Sequence, residues 1–179
     1  IMGALTLFRA AQSAGAKRFL QLSSIVAVGA VDRKTSRGAL VDESSEYNLP
    51  HLQIPYILTK RSADEELLQA ARTGNTELVI VCPSINIAPS RTGDDRTKSM
   101  KTLGRRVLPR LPNQINLVDV RDSVKGMIAA LERGRAGERY LFCGENIAIP
   151  DLIRMAAESA GTHPLLIPEP KRLVTAAAH

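Results

Sequence analysis

Tyr56 and Lys60 are the residues of this sequence whose type and spacing could support proton transfer. They are four positions apart, so on a helix they lie on the same face. On such a helix the Lys60 ammonium is expected to favour the phenolate form of Tyr56, which would make the phenol a usable proton donor and acceptor. The serine pair Ser23-Ser24 precedes them and adds two hydroxyl groups. These side chains are therefore the first candidates for catalysis.

A helix over Pro55–Thr73 is predicted to carry Tyr56 and Lys60. Pro55 suits its first turn, and Gly74 suits the position after its end. At about 100° per residue, one stripe of this helix comprises Tyr56, Lys60, Ala63, Leu67, Ala70 and Ala71, and the opposite side Arg61, Glu65, Gln69 and Arg72. Lys60 falls within the apolar stripe, where a lysine without a role is costly. The alternative is that Lys60 reaches solvent from the edge of the stripe and that Tyr56 is ordinary packing.

The composition is that of a globular protein. The chain has 179 residues, of which 44% are hydrophobic and 23% charged, and no apolar run is long enough to cross a bilayer. The net charge of +6 could indicate nucleic acid, but the basic residues are dispersed and aromatic residues make up only 3%. Stacking platforms for bases are therefore scarce, and we expect no nucleic-acid partner.

The two cysteines, Cys82 and Cys143, each fall in an apolar run, VIVCPS and YLFCG. They are predicted to be buried thiols in a reducing compartment, and we expect a cytoplasmic protein. The three histidines are scattered without the spacing of metal ligands, so no metal site is predicted. They are His51, His163 and His179.

The predicted helix lies between two strands, Arg18–Ser24 and Glu77–Cys82, the second of which is apolar throughout. Strand, helix and strand form a βαβ unit, so the fold class is α/β with a mainly parallel, Rossmann-like sheet. Ligands bind such sheets beyond the carboxyl ends of the strands, where Ser23-Ser24 and Pro83-Ser84-Ile85 are expected.

Further elements are predicted on both sides of this unit. Residues 1–14 are helix-like, residues 30–50 loop-like, and Ser90–Met100 resembles a loop rich in charged residues. Later elements are a short helix over Lys101–Leu108, a strand over Ile115–Val118, a helix over Val120–Arg133, a strand over Arg139–Cys143, a helix over Pro150–Ala160 and an extended segment over Leu165–Ile167.

Four motifs in order resemble the extended short-chain dehydrogenase/reductases, also called the NAD-dependent epimerase/dehydratase family. They are AGAKRFLQLSSIVAVG, YILTKRSADEELL, LVIVCPSINIAP and INLVDVRDSVKGMIAALERGRAGERYLFCGEN. The last is most similar to the dihydroflavonol-reductase-like branch, which includes hopanoid-associated sugar epimerases. The resemblance covers nearly the whole chain.

The resemblance implies a role for each candidate residue and NAD or NADP as cofactor. Ser24 matches the catalytic serine that hydrogen-bonds the substrate oxygen, and Ser23 would lie against the cofactor. Tyr56 matches the catalytic acid/base, and Lys60 would hold the nicotinamide ribose hydroxyls. Pro83, Ser84 and Ile85 would pass beside the nicotinamide.

Three further positions acquire an interpretation from the resemblance. Asn86 replaces a usual aliphatic residue and is either a substrate contact or only a polar loop residue. Asp119 and Asp122 match a segment that packs helix onto sheet, and are interpreted as structural caps. Ala88 stands where the family usually has glycine before Pro89, which narrows the backbone freedom beside the site.

No segment fits the glycine-rich pyrophosphate turn with which the family begins, so the chain resembles a fragment. Residues 1–89 would be the second half of the NAD(P)-binding domain. Residues 90–179 would be part of the substrate-binding lobe, with residues 115–145 returning to the sheet. The isolated chain is expected to be marginally stable, prone to association, unable to bind NAD(P) tightly and inactive alone.

Two functions remain open from the sequence. The first is an NAD(P)-dependent oxidoreductase or epimerase that acts on an alcohol or ketone carbon of a sugar, nucleotide-sugar or flavonoid-like substrate. The second is a non-catalytic remnant that binds a ligand or a partner. The expected partner is a small-molecule substrate, with no membrane span, and the resemblance allows a homodimer of the full-length parent.

Overall fold

The computed structural model describes residues 2–30, 40–89, 107–110, 114–159, 161–163 and 165–168. It divides into two compact units, one comprising Ile1–Asn86 with Val118–Gly144 and the other Ile87–Leu117 with Glu145–His179. In chain order the elements are α1 (Met2–Ser13), β1 (Arg18–Leu22), a 3-10 turn (Ile25–Ala27), α2 (Pro55–Ala71), β2 (Glu77–Pro83), β3 (Ile85–Ile87), β4 (Val107–Arg110), β5 (Gln114–Asp119), α3 (Val120–Arg133), β6 (Arg139–Phe142), β7 (Glu145–Ala148), α4 (Ile149–Ser159) and β8 (Leu165–Pro168).

The first unit contains a three-stranded parallel sheet in the order β1-β2-β6. Leu22 is level with Val81 across the first pair of strands, and Pro83 with Phe142 across the second. Because α2 connects parallel neighbours, it runs back along the sheet, antiparallel to both strands. The predicted Rossmann-like α/β fold is therefore confirmed, including the pairing of the three strands.

Both faces of β2 are buried, as its continuous apolar sequence predicts. Alternate side chains point to opposite faces of a strand, so the face covered by α1 and α2 has a different core from the face covered by α3. The first core contains Phe8, Val28, Leu67, Leu78, Ile80 and Cys82, and the second Val79, Val81 and Ala130. Burial of one such aliphatic or aromatic side chain stabilises a fold by about 1.5–3 kcal/mol.

A side-chain hydrogen bond fixes the start of α3. Asp119 caps α3 by accepting a hydrogen bond from the Arg121 amide at 2.8 Å, which confirms its role as a cap. Asp122 does not cap the helix but pairs with Lys125 within α3.

At the outer border of β6, the Leu141 amide donates to Glu43 Oε1 at 3.0 Å.

Smaller sheets accompany the parallel one. They have the order β3-β5-β7 and the pair β4-β8. β5 and β7 are antiparallel, whereas β4 and β8 are parallel. The prediction of a helix over Lys101–Leu108 is wrong at Val107 and Leu108, because these residues pair with Leu165 and Leu166, which are distant in sequence. Residues 101–106 and Ser90–Met100 lie outside the described residues.

The cysteine prediction is half correct. Both described cysteines are free thiols, but only Cys82 is buried and Cys143 is exposed. β6 ends at Phe142, one residue earlier than the apolar run predicted, so Cys143 lies beyond the strand. None of the helices in the described part of the chain has the length and apolar character needed to span a membrane.

Candidate active site

Tyr56 lies in the first turn of α2 and extends beyond the sheet. Pro55 occupies the first helical position, and the Thr59 hydroxyl donates to the Tyr56 carbonyl at 3.0 Å. Its neighbour Ile57 is buried, but Tyr56 is 56% exposed. Tyr56 is therefore not a core packing residue, and its phenol is accessible to a ligand.

Lys60 connects α2 to the carboxyl end of β1. Its Nζ donates a hydrogen bond to the carbonyl of Leu22, the last residue of that strand, at 2.9 Å. Tyr56 lies one helical turn earlier, about 5.4 Å along the axis. Because α2 runs antiparallel to β1, this turn extends past the strand end, which explains why Tyr56 is exposed.

The serine pair lies directly after the same strand. Ser23 continues the sheet through its amide, which donates to the Val81 carbonyl at 2.8 Å. Its side chain is 3% exposed and its hydroxyl donates to Asp64 Oδ2. Ser24 is extended and half-buried, and its carbonyl accepts the Ala27 amide at 3.0 Å, which begins the 3-10 turn. Lys60 thus bonds the residue that immediately precedes the serine pair, at the end of β1.

The next strand end carries the other predicted segment. The Ser84 amide donates to the Phe142 carbonyl at 2.9 Å. The Ser84 side chain is 8% exposed, and its hydroxyl has no hydrogen-bond partner among the described residues. Pro83 is buried at the end of β2, whereas Ile85 is 53% exposed.

Asn86 lies in β3, so its interpretation as a loop residue is wrong. Its side-chain Oδ1 accepts a hydrogen bond from the buried Ser123 hydroxyl at 2.5 Å. Ser123 lies in α3, far away in sequence, and nothing in the local pattern indicated this pair. Contact between Asn86 and a substrate stays a prediction.

Sequence reasoning missed Asp64. It lies on α2 four residues after Lys60, so that Tyr56, Lys60 and Asp64 follow one another at intervals of one helical turn. The same spacing that drew attention to Tyr56 and Lys60 could have identified Asp64. Its Oδ2 accepts from Ser23, and its Oδ1 is buried with no hydrogen-bond partner among the described residues.

Burial dominates the electrostatics around Asp64. Desolvation raises the pKa of Asp64, against opposing contributions from the Ser23 hydrogen bond, Lys60, Gln21 and Arg139. Desolvation also raises the pKa of the Cys82 thiol to about 12, and the neighbouring Asp64 charge acts in the same direction. Cys82 is thus a protonated core residue rather than a nucleophile.

Comparison with known proteins gives the family. The sequence profile described as "NAD dependent epimerase/dehydratase family" matches residues 1–143, most of the chain. The chain belongs to the NAD-dependent epimerase/dehydratase family. This match confirms the family resemblance that was inferred from the four sequence motifs.

Two proteins similar to this chain illustrate the range of activities named among its relatives. A Synechocystis protein provisionally named dihydroflavonol 4-reductase is 31% identical, over 97% of this chain and 50% of that protein. The crystal structure of a nucleoside-diphosphate-sugar epimerase from Pseudomonas aeruginosa is 28% identical, with a TM-score of 0.78 over 99% of this chain and 59% of that one. The chain spans about half the length of the curated relatives it matches.

A more distant structure supports the fold alone. UDP-glucose 4-epimerase from Thermus thermophilus, in complex with NAD, is 18% identical, with a TM-score of 0.73 over 96% of this chain and 57% of that one.

The family name implies a nicotinamide cofactor, and residues at the carboxyl ends of β1 and β2 are compatible with one. The buried Ser84 hydroxyl without a partner can bond a polar ligand atom. The Lys60 ammonium has donors beyond the one given to Leu22. Within the described residues, no three His, Cys, Asp or Glu side chains group as metal ligands.

Proposed function

We propose that this chain carries the acid–base residues of an NAD(P)-dependent oxidoreductase or epimerase acting on an alcohol or ketone carbon. The observation that supports this most strongly is the hydrogen bond from Lys60 Nζ to the Leu22 carbonyl. It fixes an ammonium group at the strand end where the serine pair lies, one turn from an accessible phenol.

Tyr56 moves the proton in this proposal. Its OH donates a proton to a carbonyl oxygen that becomes an alcohol, or accepts one in the reverse direction. The Lys60 ammonium stabilises the phenolate left behind. The Ser24 hydroxyl, at the start of the turn after β1, holds the same substrate oxygen and orients it toward Tyr56.

The cofactor, when bound, supplies or accepts the hydride. We assign Lys60, Tyr56, Ser23 and the segment Pro83, Ser84 and Ile85 to its binding. Ser84 offers the unpartnered hydroxyl. The Ser23 hydroxyl is directed to Asp64, so Ser23 would meet the cofactor through its backbone.

The substrate proposal follows the names of the relatives. They include a dihydroflavonol 4-reductase, an anthocyanidin reductase and a nucleoside-diphosphate-sugar epimerase. We therefore propose a sugar, nucleotide-sugar or flavonoid-like substrate, with Asn86 among its contacts and residues 90–179 contributing to its binding lobe. Cytoplasmic localisation and homodimer formation stay predictions.

The test is a turnover assay of the whole protein with two substrates, a dihydroflavonol with NADH or NADPH and a nucleoside-diphosphate sugar with NAD or NADP. Ketone reduction is followed by the loss of nicotinamide absorbance, and epimerisation by chromatography of the sugar. We expect turnover of one substrate, abolished by Tyr56→Phe. Cofactor binding without turnover in either assay would favour the non-catalytic binding module instead.

A further inference from the structure

Asp64 connects α2 to three strands of the parallel sheet. Its carboxylate accepts the Ser23 hydroxyl after β1. Cys82 of β2 and Arg139 of β6 are close enough to interact electrostatically with it. An ionisable side chain in this position, with one oxygen buried and unpartnered, destabilises the fold relative to an apolar residue. Its presence therefore calls for a role other than stability.

The geometry indicates that role. Lys60 and Asp64 are one turn apart on α2, and they bond the consecutive residues Leu22, the last of β1, and Ser23, which follows the strand. These two bonds act with the buried packing of α2 on the sheet to set the rotation of the helix and its position along the strand. Tyr56 continues the same line by one turn.

We propose that Asp64 is a positioning residue of the active site: by holding Ser23 it fixes the Lys60 ammonium on Leu22 and keeps Ser24 and Tyr56 in register for a common substrate oxygen. This inference rests on the proposed function. Asp64 does not touch the substrate in it. Its contribution appears in turnover, because misplacement of reacting groups lowers rate more than binding.

A single cross-peak can report on this arrangement without an activity assay. Leu22-Ser23 is the one Leu-Ser dipeptide in the chain. Whole protein labelled with ¹³C-carbonyl leucine and ¹⁵N-serine therefore gives one carbonyl–amide correlation from these 179 residues. It reports the Leu22 carbonyl, which Lys60 bonds, and the Ser23 amide. The Ser23→Ala variant assigns the peak by removing it, and Lys60→Met gives its position when the lysine bond is lost.

We expect Asp64→Ala to move this peak toward its Lys60→Met position and to lower kcat about tenfold with little change in KM. Asp64→Asn should restore most of both, because its amide oxygen still accepts from Ser23. The matched control is Glu65→Ala, the adjacent carboxylate, which is exposed and pairs with Arg61. It should leave the peak and kcat unchanged. If Asp64→Ala does not fold, Ser23→Ala should show the same selective loss of kcat.

Two results would overturn the inference: a peak that responds to Asp64→Ala no more than to Glu65→Ala, or a peak that moves while kcat per folded molecule stays at the wild-type value. Failure of the proposed function would give a different combination of results from failure of this inference. If Tyr56→Phe retains turnover while the peak responds to Asp64→Ala, the assigned chemistry is wrong but the hold of Asp64 on Lys60 stands.

Discussion

At their amino ends, β1 and β2 are joined by an exposed ion pair between Arg18 and Glu77, whereas at their carboxyl ends they meet buried hydroxyl and carboxylate groups. Polar groups at the amino end are mutually satisfied: Arg18 Nε donates to Glu77 at 2.7 Å, and the buried Thr76 hydroxyl donates to the Ala16 carbonyl at 2.7 Å. At the carboxyl end, the Ser84 hydroxyl and one Asp64 oxygen have no partner among the described residues. Unsatisfied buried groups, rather than polarity itself, distinguish the candidate site.

Cavity volume alone would place a ligand site at the amino ends of the strands, opposite the candidate site. A cavity of about 520 Å³ lies at the amino end, between the end of α2 and the start of β2. A cavity of about 130 Å³ adjoins Asp64, Arg61 and Arg139. The larger space is lined mainly by chain turns and the termini of elements, so its volume reflects how the helix ends rather than where chemistry occurs.

The largest expected difference between the two ends is in turnover. In the whole protein, Tyr56→Phe should lower kcat at least ~100-fold, because it removes the proton donor and little else. Tyr47→Phe is the matched control, since the Tyr47 hydroxyl donates to the nearby Leu49 carbonyl, at 3.0 Å. Steady-state kinetics of both variants are the measurement. A Tyr56→Phe enzyme with most of its activity would remove the reason for placing the site at the carboxyl end.

Ser84→Ala should raise the free energy of unfolding by about 1–3 kcal/mol, since it deletes a buried hydroxyl that bonds nothing in the described chain. The same change should weaken NAD(P) binding, so stability and cofactor affinity move in opposite directions. Urea titration and calorimetric titration of the whole protein measure the two effects. Loss of both stability and affinity would mean that the hydroxyl has a structural partner.

Thr76→Val at the amino end should behave differently from Ser84→Ala. It removes the hydrogen bond to the Ala16 carbonyl while keeping the side-chain shape, and should lower the free energy of unfolding by about 0.5–1.5 kcal/mol. Its kcat and cofactor affinity should equal those of the wild type. A decrease in kcat beyond the loss of folded protein would contradict the proposed division of roles.

The smallest effect expected is a dependence of stability on pH. The pKa of Asp64 is raised in the fold, so its contribution favours the folded state at low pH and is lost as pH rises from the ordinary value of 3.8 through the raised one. Lys60 and Arg139 limit this loss because they favour the charged carboxylate. Asp64→Asn should flatten the dependence of Tm in this range, while Glu65→Gln leaves it unchanged.

Local patterns in the sequence predicted the elements that position the site. Periodicity gave α2, continuous apolar sequence gave β2, and Asp119 marked the start of α3 at the correct residue. Each of these depends on neighbours within a few positions. Ser23-Ser24 was placed correctly at a strand end for the same reason.

Non-local contacts account for what was missed. Val107 and Leu108 have a helix-like local pattern, but they pair with β8, nearly sixty positions away. The Asn86–Ser123 bond also joins distant segments. Asp64 was overlooked for another reason: a carboxylate in a helix is normally solvated, and its spacing from Lys60 does not reveal that one of its oxygens is buried.

The bond between Glu43 and the Leu141 amide has a consequence for solubility. Among the strands that the structure describes, β6 is an outermost one of the parallel sheet, and free amide groups along such a strand can recruit a strand from another molecule. An incoming chain would have to displace a charged acceptor and could offer only a neutral carbonyl in its place. One loop carboxylate thus withholds the Leu141 amide from pairing with a strand of another molecule.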